Sequence, residues 1–268
     1  MQRWAVGLGL VISLSTIACS APEERDYEQG RTAANKGLYR SALSSYDHVI
    51  KRAPESEFAL RAAKEGARLA TLELKDFHRA ARYHQFIVLH AKEAKERVSS
   101  QKQLAGIYFD QLQNYEKAIL ELNKLVSDSE SDTEVAKYKL DIARSNYYLN
   151  NFFQAQSELD DVLKKNVDTQ EKFTAMVLKA NIYIAQKEYI RAIEILKKVI
   201  EIFPEKAAQE NVYQSLSVCF EESGNYKEAI QSLEIAKDKN LMPEYIEQRI
   251  KRLKEREKNR PGARGLRK

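Results

Sequence analysis

The chain has 268 residues, of which 31 % are charged and 43 % apolar, with nine glycines, five prolines and a formal net charge of +5. This composition is typical of a soluble helical protein. Only two cysteines, Cys19 and Cys219, are present, which is too few for a framework of several disulfides.

Residues 1–18 predict an export signal. Arg3 precedes an uncharged apolar run that ends in small residues, and its length and flanks suit a secretory signal better than a spanning helix. The stretch from Ser15 to Cys19, STIAC, resembles a bacterial lipobox, whose cysteine becomes the lipidated first residue of the mature protein. Thr16 stands where that motif usually has leucine. Ordinary cleavage, giving a soluble periplasmic protein, is therefore the alternative.

The lipobox resemblance implies a lipid anchor on Cys19, which would hold the protein at a membrane surface without spanning it. Ser20 rather than aspartate at the next position favours the outer membrane by lipoprotein sorting rules, and residues 19–25 would form a linker. The 250 residues that remain after an 18-residue signal suffice for one elongated core, not for a second domain beside it. Cys219 then has no partner and is predicted to be a buried small apolar residue on a helix.

Residues 26–241 repeat one pattern six times. An aromatic residue is followed three positions later by an alanine, and successive alanines are 38, 38, 37, 37 and 37 residues apart. The six pairs are Tyr39–Ala42, Phe77–Ala80, Tyr115–Ala118, Phe152–Ala155, Tyr189–Ala192 and Tyr226–Ala229. A pattern that keeps its register over this length predicts stacked units that bury their apolar faces against their neighbours.

The fifth copy is the most complete, with Ala180, Tyr183, Tyr189, Ala192 and Leu196 in register. This spacing resembles the tetratricopeptide repeat (TPR). The resemblance implies an all-α, right-handed solenoid of about six helix pairs, with alanines where paired helices cross. The period exceeds the usual ~34 residues by about one helical turn. In the small-residue position of the preceding helix, the third copy has Gly106 and the second has Arg68, which predicts a degenerate second repeat.

Residues 242–259 predict a C-terminal helix that caps the last repeat, since Tyr245, Ile246, Ile250 and Leu253 recur at helical spacing. Residues 260–268 predict a basic disordered tail. From residue 249 onward ten basic residues face two glutamates, a net charge of +8. These candidates for binding a polyanion are Arg249, Lys251, Arg252, Lys254, Arg256, Lys258, Arg260, Arg264, Arg267 and Lys268.

The basic block could be an interaction arm for anionic lipid headgroups, lipopolysaccharide or acidic cell-wall polymers. The alternative is a solvated end that only aids solubility. Nucleic acid is disfavoured as a partner by the export signal.

Nothing in the sequence predicts catalysis, a cofactor or a metal site. Phosphate-cradling glycine loops, nucleophile elbows and thiol–imidazole patterns are all missing from the sequence. His78, His84 and His90 are spaced by six residues, so successive rings point away from each other on a helix. The carboxylate pairs Asp160–Asp161 and Glu221–Glu222 are interpreted as solvated helix faces, because adjacent positions do not face one another.

The resemblance to TPR peptide-binding proteins implies a groove lined by the first helix of each pair. Carried over, its positions are Gln103, Ile107, Leu140, Arg144, Tyr147, Tyr148, Val177, Asn181, Ile184, Gln214 and Val218. The polar and aromatic ones, Gln103, Arg144, Tyr147, Tyr148, Asn181 and Gln214, are the contact candidates. The alternative for at least one of the two tyrosines is a place in the core. The set does not reproduce the two-carboxylate clamp of chaperone-binding TPR proteins.

An export signal followed by long-period TPRs resembles a group of bacterial envelope adaptors, BamD, CpoB (YbgF), NlpI and PilF, without indicating which member. We therefore expect a non-enzymatic scaffold at the periplasmic face of the outer membrane. Its expected partners are other envelope proteins or their extended segments, and its role would be to assist assembly of an envelope complex. The alternative is an envelope polymer- or anionic-lipid-binding protein that acts through its basic tail.

Overall fold

The computed structural model describes residues 21–165, 167–237 and 243–259. These residues form fourteen α-helices and no strand. The helices are α1 Pro22–Asn35, α2 Tyr39–Arg52, α3 Glu57–Leu72, α4 Phe77–His90, α5 Ala94–Gly106, α6 Tyr115–Asp128, α7 Asp132–Tyr148, α8 Phe152–Lys164, α9 Thr169–Ala185, α10 Tyr189–Ile202, α11 Pro204–Gln209, α12 Val212–Glu222, α13 Tyr226–Lys237 and α14 Pro243–Lys258. The predicted signal, Cys19 and the basic residues from Arg260 onward lie outside the described residues.

The predicted register is confirmed in all six pairs. Each aromatic residue of the repeat is the first residue of a second helix, in α2, α4, α6, α8, α10 and α13. Each alanine three positions later is completely buried. A methyl side chain at this point lets the paired helices approach closely, which is why the pattern tolerates no larger residue. The all-α fold of consecutive helix pairs is therefore the one that the sequence predicts.

The turn inside each pair has one residue with a left-handed backbone, two positions before the aromatic residue. These six residues, Gly37, Lys75, Gln113, Asn150, Lys187 and Gly224, have φ between 48° and 76°. The next N–H donates back to a carbonyl of the first helix at 2.8–2.9 Å. This arrangement ends a helix by satisfying one of its last free carbonyls.

One extra residue in the first helix of the second pair, and one in that of the third pair, accounts for the two 38-residue periods. The closing N–H of the turn reaches six residues back in the second and third pairs, to Ala70 and Tyr108, and five residues back in the other four. In the third pair the extra residue is held in a π-helical turn, Ile107–Gln111, that continues α5. Because of this extra residue, positions counted back from the aromatic residue are out of register in both pairs.

The predicted roles of Arg68 and Gly106 are wrong for that reason. Arg68 is exposed and pairs with Glu65 at 3.1 Å, and no atom lies within 4 Å of a Cβ placed on Gly106. The close contact in the second pair belongs to Gly66, where a Cβ would lie 2.7 Å from the ring of Tyr83. The second repeat is thus fully packed rather than degenerate.

The first compact unit ends at Arg97 and contains α1 to α4. Its core is built on two tyrosines that lie against glycines. A Cβ on Gly30 would lie 2.5 Å from the ring of Tyr46, which is completely buried. Tyr83 meets Gly66 in the same way, and its hydroxyl donates to Asp47 at 2.6 Å.

The second compact unit begins at Val98 and ends with α14. One buried cluster joins α7, α8 and α9, a second joins α9 to α14, and Leu163 packs against both. Cys219 is completely buried in the second cluster, and burial raises the pKa of its thiol to about 11. This confirms its predicted role as a small apolar residue.

The C-terminal helix caps the second cluster as predicted. Ile246, Ile250 and Leu253 of α14 are buried in it, whereas Tyr245 is exposed. The six-residue helix α11 between the fifth and sixth pairs is not predicted by the repeat. None of the described helices has the length and apolarity needed to cross a bilayer.

Candidate peptide groove

A cavity of about 380 Å³ lies between the first helices of the fourth and fifth pairs, α7 and α9. Four of the six contact candidates line it: Arg144, Tyr147, Tyr148 and Asn181. The predicted groove residue Val177 lies on the same wall. Part of the predicted groove thus lines a cavity within the second unit, and its role in binding a peptide stays a prediction.

The helical repeat puts these side chains together. On α9, Val177 and Asn181 are four residues apart and share one face, which Gln170 and Thr174 extend by two further turns. On α7, Arg144 and Tyr148 have the same spacing. Glu210, which follows α11, contributes the remaining polar wall.

Arg144 is held by a neighbouring carboxylate. Its Nη1 donates to Oδ1 of Asp141 at 3.0 Å, and the two side chains are 43 % and 41 % exposed. Burial raises the pKa of Asp141 above its ordinary value, although Arg144 opposes the shift. A guanidinium has five N–H donors, so a single bond to Asp141 orients Arg144 and leaves donors for a second acceptor in the cavity.

The tyrosines form an aromatic wall. Tyr148 is 54 % exposed and stacks on Tyr115, with ring centroids 4.8 Å apart and planes 17° apart. Tyr147 lies 6.1 Å from the ring of Phe152 and packs against the buried cluster of α7, α8 and α9. The alternative that at least one tyrosine belongs to the core thus holds for Tyr147, which also lines the cavity.

A second cavity of about 360 Å³ adjoins the first. Arg144 lines both, and Phe109 of the second contacts Tyr148 of the first at 6.0 Å between ring centroids. The walls of the second cavity are mainly apolar, with Ala105, Gly106, Phe109, Leu122, Leu125 and Tyr138 beside the charged Lys102, Asp110 and Asp141. Together the two cavities form a trough with a guanidinium at its middle.

Comparison with known proteins agrees with this architecture. A family model described as tetratricopeptide repeat matches residues 171–236, the fifth and sixth helix pairs. The match covers two of the six helix pairs, and the fold of consecutive helix pairs is TPR-like throughout the described residues.

Several solved structures resemble the chain in fold. MamA is 21 % identical with a TM-score of 0.53, covering 69 % of this chain and 94 % of that one. A TPR protein from Parabacteroides merdae is 18 % identical with a TM-score of 0.54, covering 89 % and 88 %. PilW, a type IV pilus biogenesis factor, is 13 % identical with a TM-score of 0.53, covering 84 % and 97 %. No curated protein sequence matches this chain.

Some groove positions carried over from TPR proteins lie elsewhere. Gln103 is exposed on α5 and Gln214 donates to the side chain of Asn211 at 2.9 Å, and neither lines the two cavities. Ile107 and Leu140 are buried in the core, so their groove assignment is wrong. Ile107 is displaced because the extra residue of the π-helical turn lies between it and Tyr115, the residue from which the groove positions are counted.

The sequence analysis missed five residues of the first cavity: Gln170, Phe173, Thr174, Leu178 and Glu210. Two signals could have found them. Gln170 and Thr174 precede Val177 by seven and three residues, which is helical spacing. Pro204 is the first residue of α11, a position where proline is favoured, and α11 brings Glu210 to the site.

The described residues contain no group of three histidine, cysteine, aspartate or glutamate side chains arranged for a metal ion. His84 is half-buried, and burial lowers the pKa of its ring. The groove therefore offers hydrogen bonds, charge and aromatic surface to a ligand.

Proposed function

We propose that this TPR protein is a non-enzymatic scaffold that binds an extended segment of a partner protein in the two adjoining cavities. The observation that carries the proposal is the convergence of Arg144, Tyr148 and Asn181 on one cavity from two different helices. These three side chains supply a charge, a rigid contact surface and an amide, which are the groups that recognise an extended peptide.

Each group has a distinct task in this proposal. The Asn181 amide can bond the backbone of an extended segment as both donor and acceptor. The Arg144 guanidinium can fork a carboxylate, and Tyr148 offers a large surface at low cost in conformational entropy. The apolar walls of the second cavity fit an aliphatic or aromatic side chain. The expected segment therefore has a carboxylate next to an apolar residue.

The cellular place of this scaffold belongs to the same proposal. The predicted signal and lipobox at Cys19 support a location at the periplasmic face of the outer membrane, where the scaffold would assist assembly of an envelope complex. PilW, a type IV pilus biogenesis factor, resembles the chain in fold alone. Support for the envelope therefore comes from the first nineteen residues, and a soluble periplasmic form is the alternative.

Affinity capture after in-cell crosslinking tests the location and the partner. The full-length protein is compared with a Cys19→Ala variant. We expect envelope proteins to be recovered with the native chain and to be depleted when Cys19 is replaced. Recovery of cytoplasmic proteins at equal levels from both versions would contradict the envelope assignment.

Charge reversal at Arg144 tests the groove. We expect Arg144→Glu to weaken binding of the captured partner more than tenfold, about 1.4 kcal/mol, because a carboxylate would then face a carboxylate. The matched control is Arg191→Glu on α10. Like Arg144, Arg191 pairs with a carboxylate three residues before it, here Glu188 at 2.8 Å, but it lines neither cavity. Equal affinity of both variants, with circular dichroism unchanged, would exclude the groove.

A further inference from the structure

Three arginines of the C-terminal helix face one cleft. Arg249, Arg252 and Arg256 of α14 are spaced by three and four residues, so they share a face of the helix. With Leu253 and Glu221 of α12 they line a cleft of about 440 Å³. Among the described basic residues of this block, these three are the ones that line the cleft.

Glu221 holds two of the three arginines. One carboxylate oxygen lies 3.4 Å from Nη2 of Arg249, and the other accepts from Arg256, whose guanidinium also lies 5.4 Å from the ring centroid of Tyr226. Glu221 is only 20 % exposed, so its interpretation as a solvated face is wrong. The structure shows it as a partly buried counter-charge between α12 and α14.

The cleft has more positive than negative charge. Arg252 lines it without an ion-pair partner among the described residues, so three guanidinium groups face a single carboxylate. The net charge of the cleft is thus +2. An exposed arginine alone would be unremarkable, but here Arg249 is 14 % exposed and both held arginines are pre-oriented by one acceptor.

We propose that this cleft binds a phosphate monoester group. Such a group carries a charge of about −1.5 to −2 at neutral pH and three acceptor oxygens, which match the net charge and the three guanidinium groups. Arginine donates to phosphate in a bidentate geometry that a single point charge does not provide. A carboxylate ligand would leave a positive charge unmatched. Glu221 acts as an internal competitor that orders Arg249 and Arg256 while the ligand is away.

The site is independent of the peptide groove, because the two share no residue. The same phosphate chemistry occurs on soluble metabolites and on phosphomonoester lipid headgroups. Either source would occupy the cleft in the same way.

Titration with inorganic phosphate, followed by NMR or calorimetry, tests the site. We expect Arg252→Gln to weaken phosphate binding about tenfold, since it removes a charge-assisted hydrogen bond. The control is Lys251→Gln, which removes the same charge from the neighbouring position, about 100° around the helix and outside the cleft. It should change the affinity less than twofold. Equal weakening by both variants, or no phosphate binding to the native chain, would overturn the proposal.

A second variant keeps the test independent of folding. Glu221→Gln removes the internal competitor and raises the charge of the cleft to +3, so phosphate should bind about tenfold more tightly. Arginines that serve only to fix α14 would give the opposite result: weaker binding together with a lower melting temperature.

Two further ligands separate the sources of the phosphate. Phosphatidylcholine vesicles containing phosphatidic acid should compete with inorganic phosphate if the headgroup is accessible to the cleft, and Arg252→Gln should weaken that binding more than Lys251→Gln. If inorganic phosphate binds and the vesicles do not compete with it, the lipid headgroup is excluded as the source. The ligand is then a soluble phosphomonoester, and the site stands. If a glutamate-rich peptide displaces phosphate at lower concentration than free phosphate does, the site is a carboxylate site and the proposal fails.

Discussion

The two units solve the same packing problem with different pairs of residues. In the first unit a tyrosine ring packs against a glycine on the first helix of the pair, as Tyr46 does against Gly30. In the second unit the corresponding positions hold Ala180 and Leu196, both completely buried in one cluster. The smaller residue of the pair is glycine where the larger is tyrosine, and alanine where the larger is leucine. The repeat therefore specifies a combined volume at the helix crossing rather than one residue type.

The surfaces of the two units differ more than their cores. A cavity of about 330 Å³ in the first unit is lined by four glutamates together with Lys64, Lys92 and His90, and His90 lies 3.4 Å from Glu55. The cavities of the second unit combine Arg144 with tyrosines and Asn181. Identical repeat geometry thus supports distinct surfaces, since only inward-facing positions are constrained by packing.

Replacing the glycine–tyrosine pair of the first unit by the alanine–leucine pair of the second should produce the largest change in stability. Gly30→Ala would bring a methyl group to 2.5 Å from the Tyr46 ring, and we expect it to lower the free energy of unfolding by about 1–3 kcal/mol. Adding Tyr46→Leu rebuilds the alanine–leucine pair of the second unit and should recover most of that loss. Urea denaturation of the two single variants and the double variant measures the coupling.

Gly106→Ala is the control for this exchange. Gly106 has a helical backbone, with φ −62°, and open space around its Cβ position. Alanine there should stabilise the protein by up to about 1 kcal/mol. The combined-volume interpretation is wrong if Gly30→Ala changes the free energy of unfolding as Gly106→Ala does. It is also wrong if the double variant loses the sum of the stabilities lost by Gly30→Ala and Tyr46→Leu.

Swapping the residue with the left-handed backbone between one turn of each unit should have a smaller effect on stability. Gly37 in the first unit and Lys187 in the second occupy the same position, with φ of 73° and 61°. We expect Gly37→Lys to destabilise and Lys187→Gly to stabilise, each by about 1 kcal/mol, because only glycine adopts this backbone without steric cost. Thermal unfolding of both variants measures the change. Shifts in the same direction for both would contradict the shared turn geometry.

The smallest expected effect is a pH dependence confined to the second unit. The pKa of Asp141 is raised in the folded state, so this residue contributes stability below the ordinary aspartate pKa and loses it as the pH rises toward the raised value. Solvent screening keeps the loss below about 1 kcal/mol, since the side chain is 41 % exposed. Asp141→Asn should flatten the stability profile just above the ordinary pKa. Parallel profiles for the native chain and the variant would contradict this assignment.

The sequence predicted the structural features that recur with the repeat or follow from helical spacing. The first residue of every second helix, the buried alanines and the capping face of α14 all follow from the repeat and from helical spacing. The polar stretch at residues 127–133 contains the end of α6 at Asp128 and the cap of α7, where the hydroxyl of Ser131 accepts from the N–H of Glu134.

What the sequence did not reveal depends on partners distant in the chain. Gly66 cannot be recognised as the crossing residue until Tyr83 is seen to contact it. Glu221 seemed solvated because its arginines lie 28 and 35 residues away. Four of the six groove candidates meet in one cavity, whereas Gln103 and Gln214 do not, since the repeat fixes which helix lines the groove but not how far the cavity extends along it.

The π-helical turn at Ile107–Gln111 shows how a repeat array can vary by a single residue. The additional residue is absorbed before the next turn, so α6 still begins at its aromatic residue and Ala118 is still completely buried. A residue gained or lost there rotates one part of a groove-lining helix by about 100° against the rest. Ligand specificity could thus be altered by an insertion or a deletion, with no substitution in the core, which offers a simple means of engineering new binding surfaces on this scaffold.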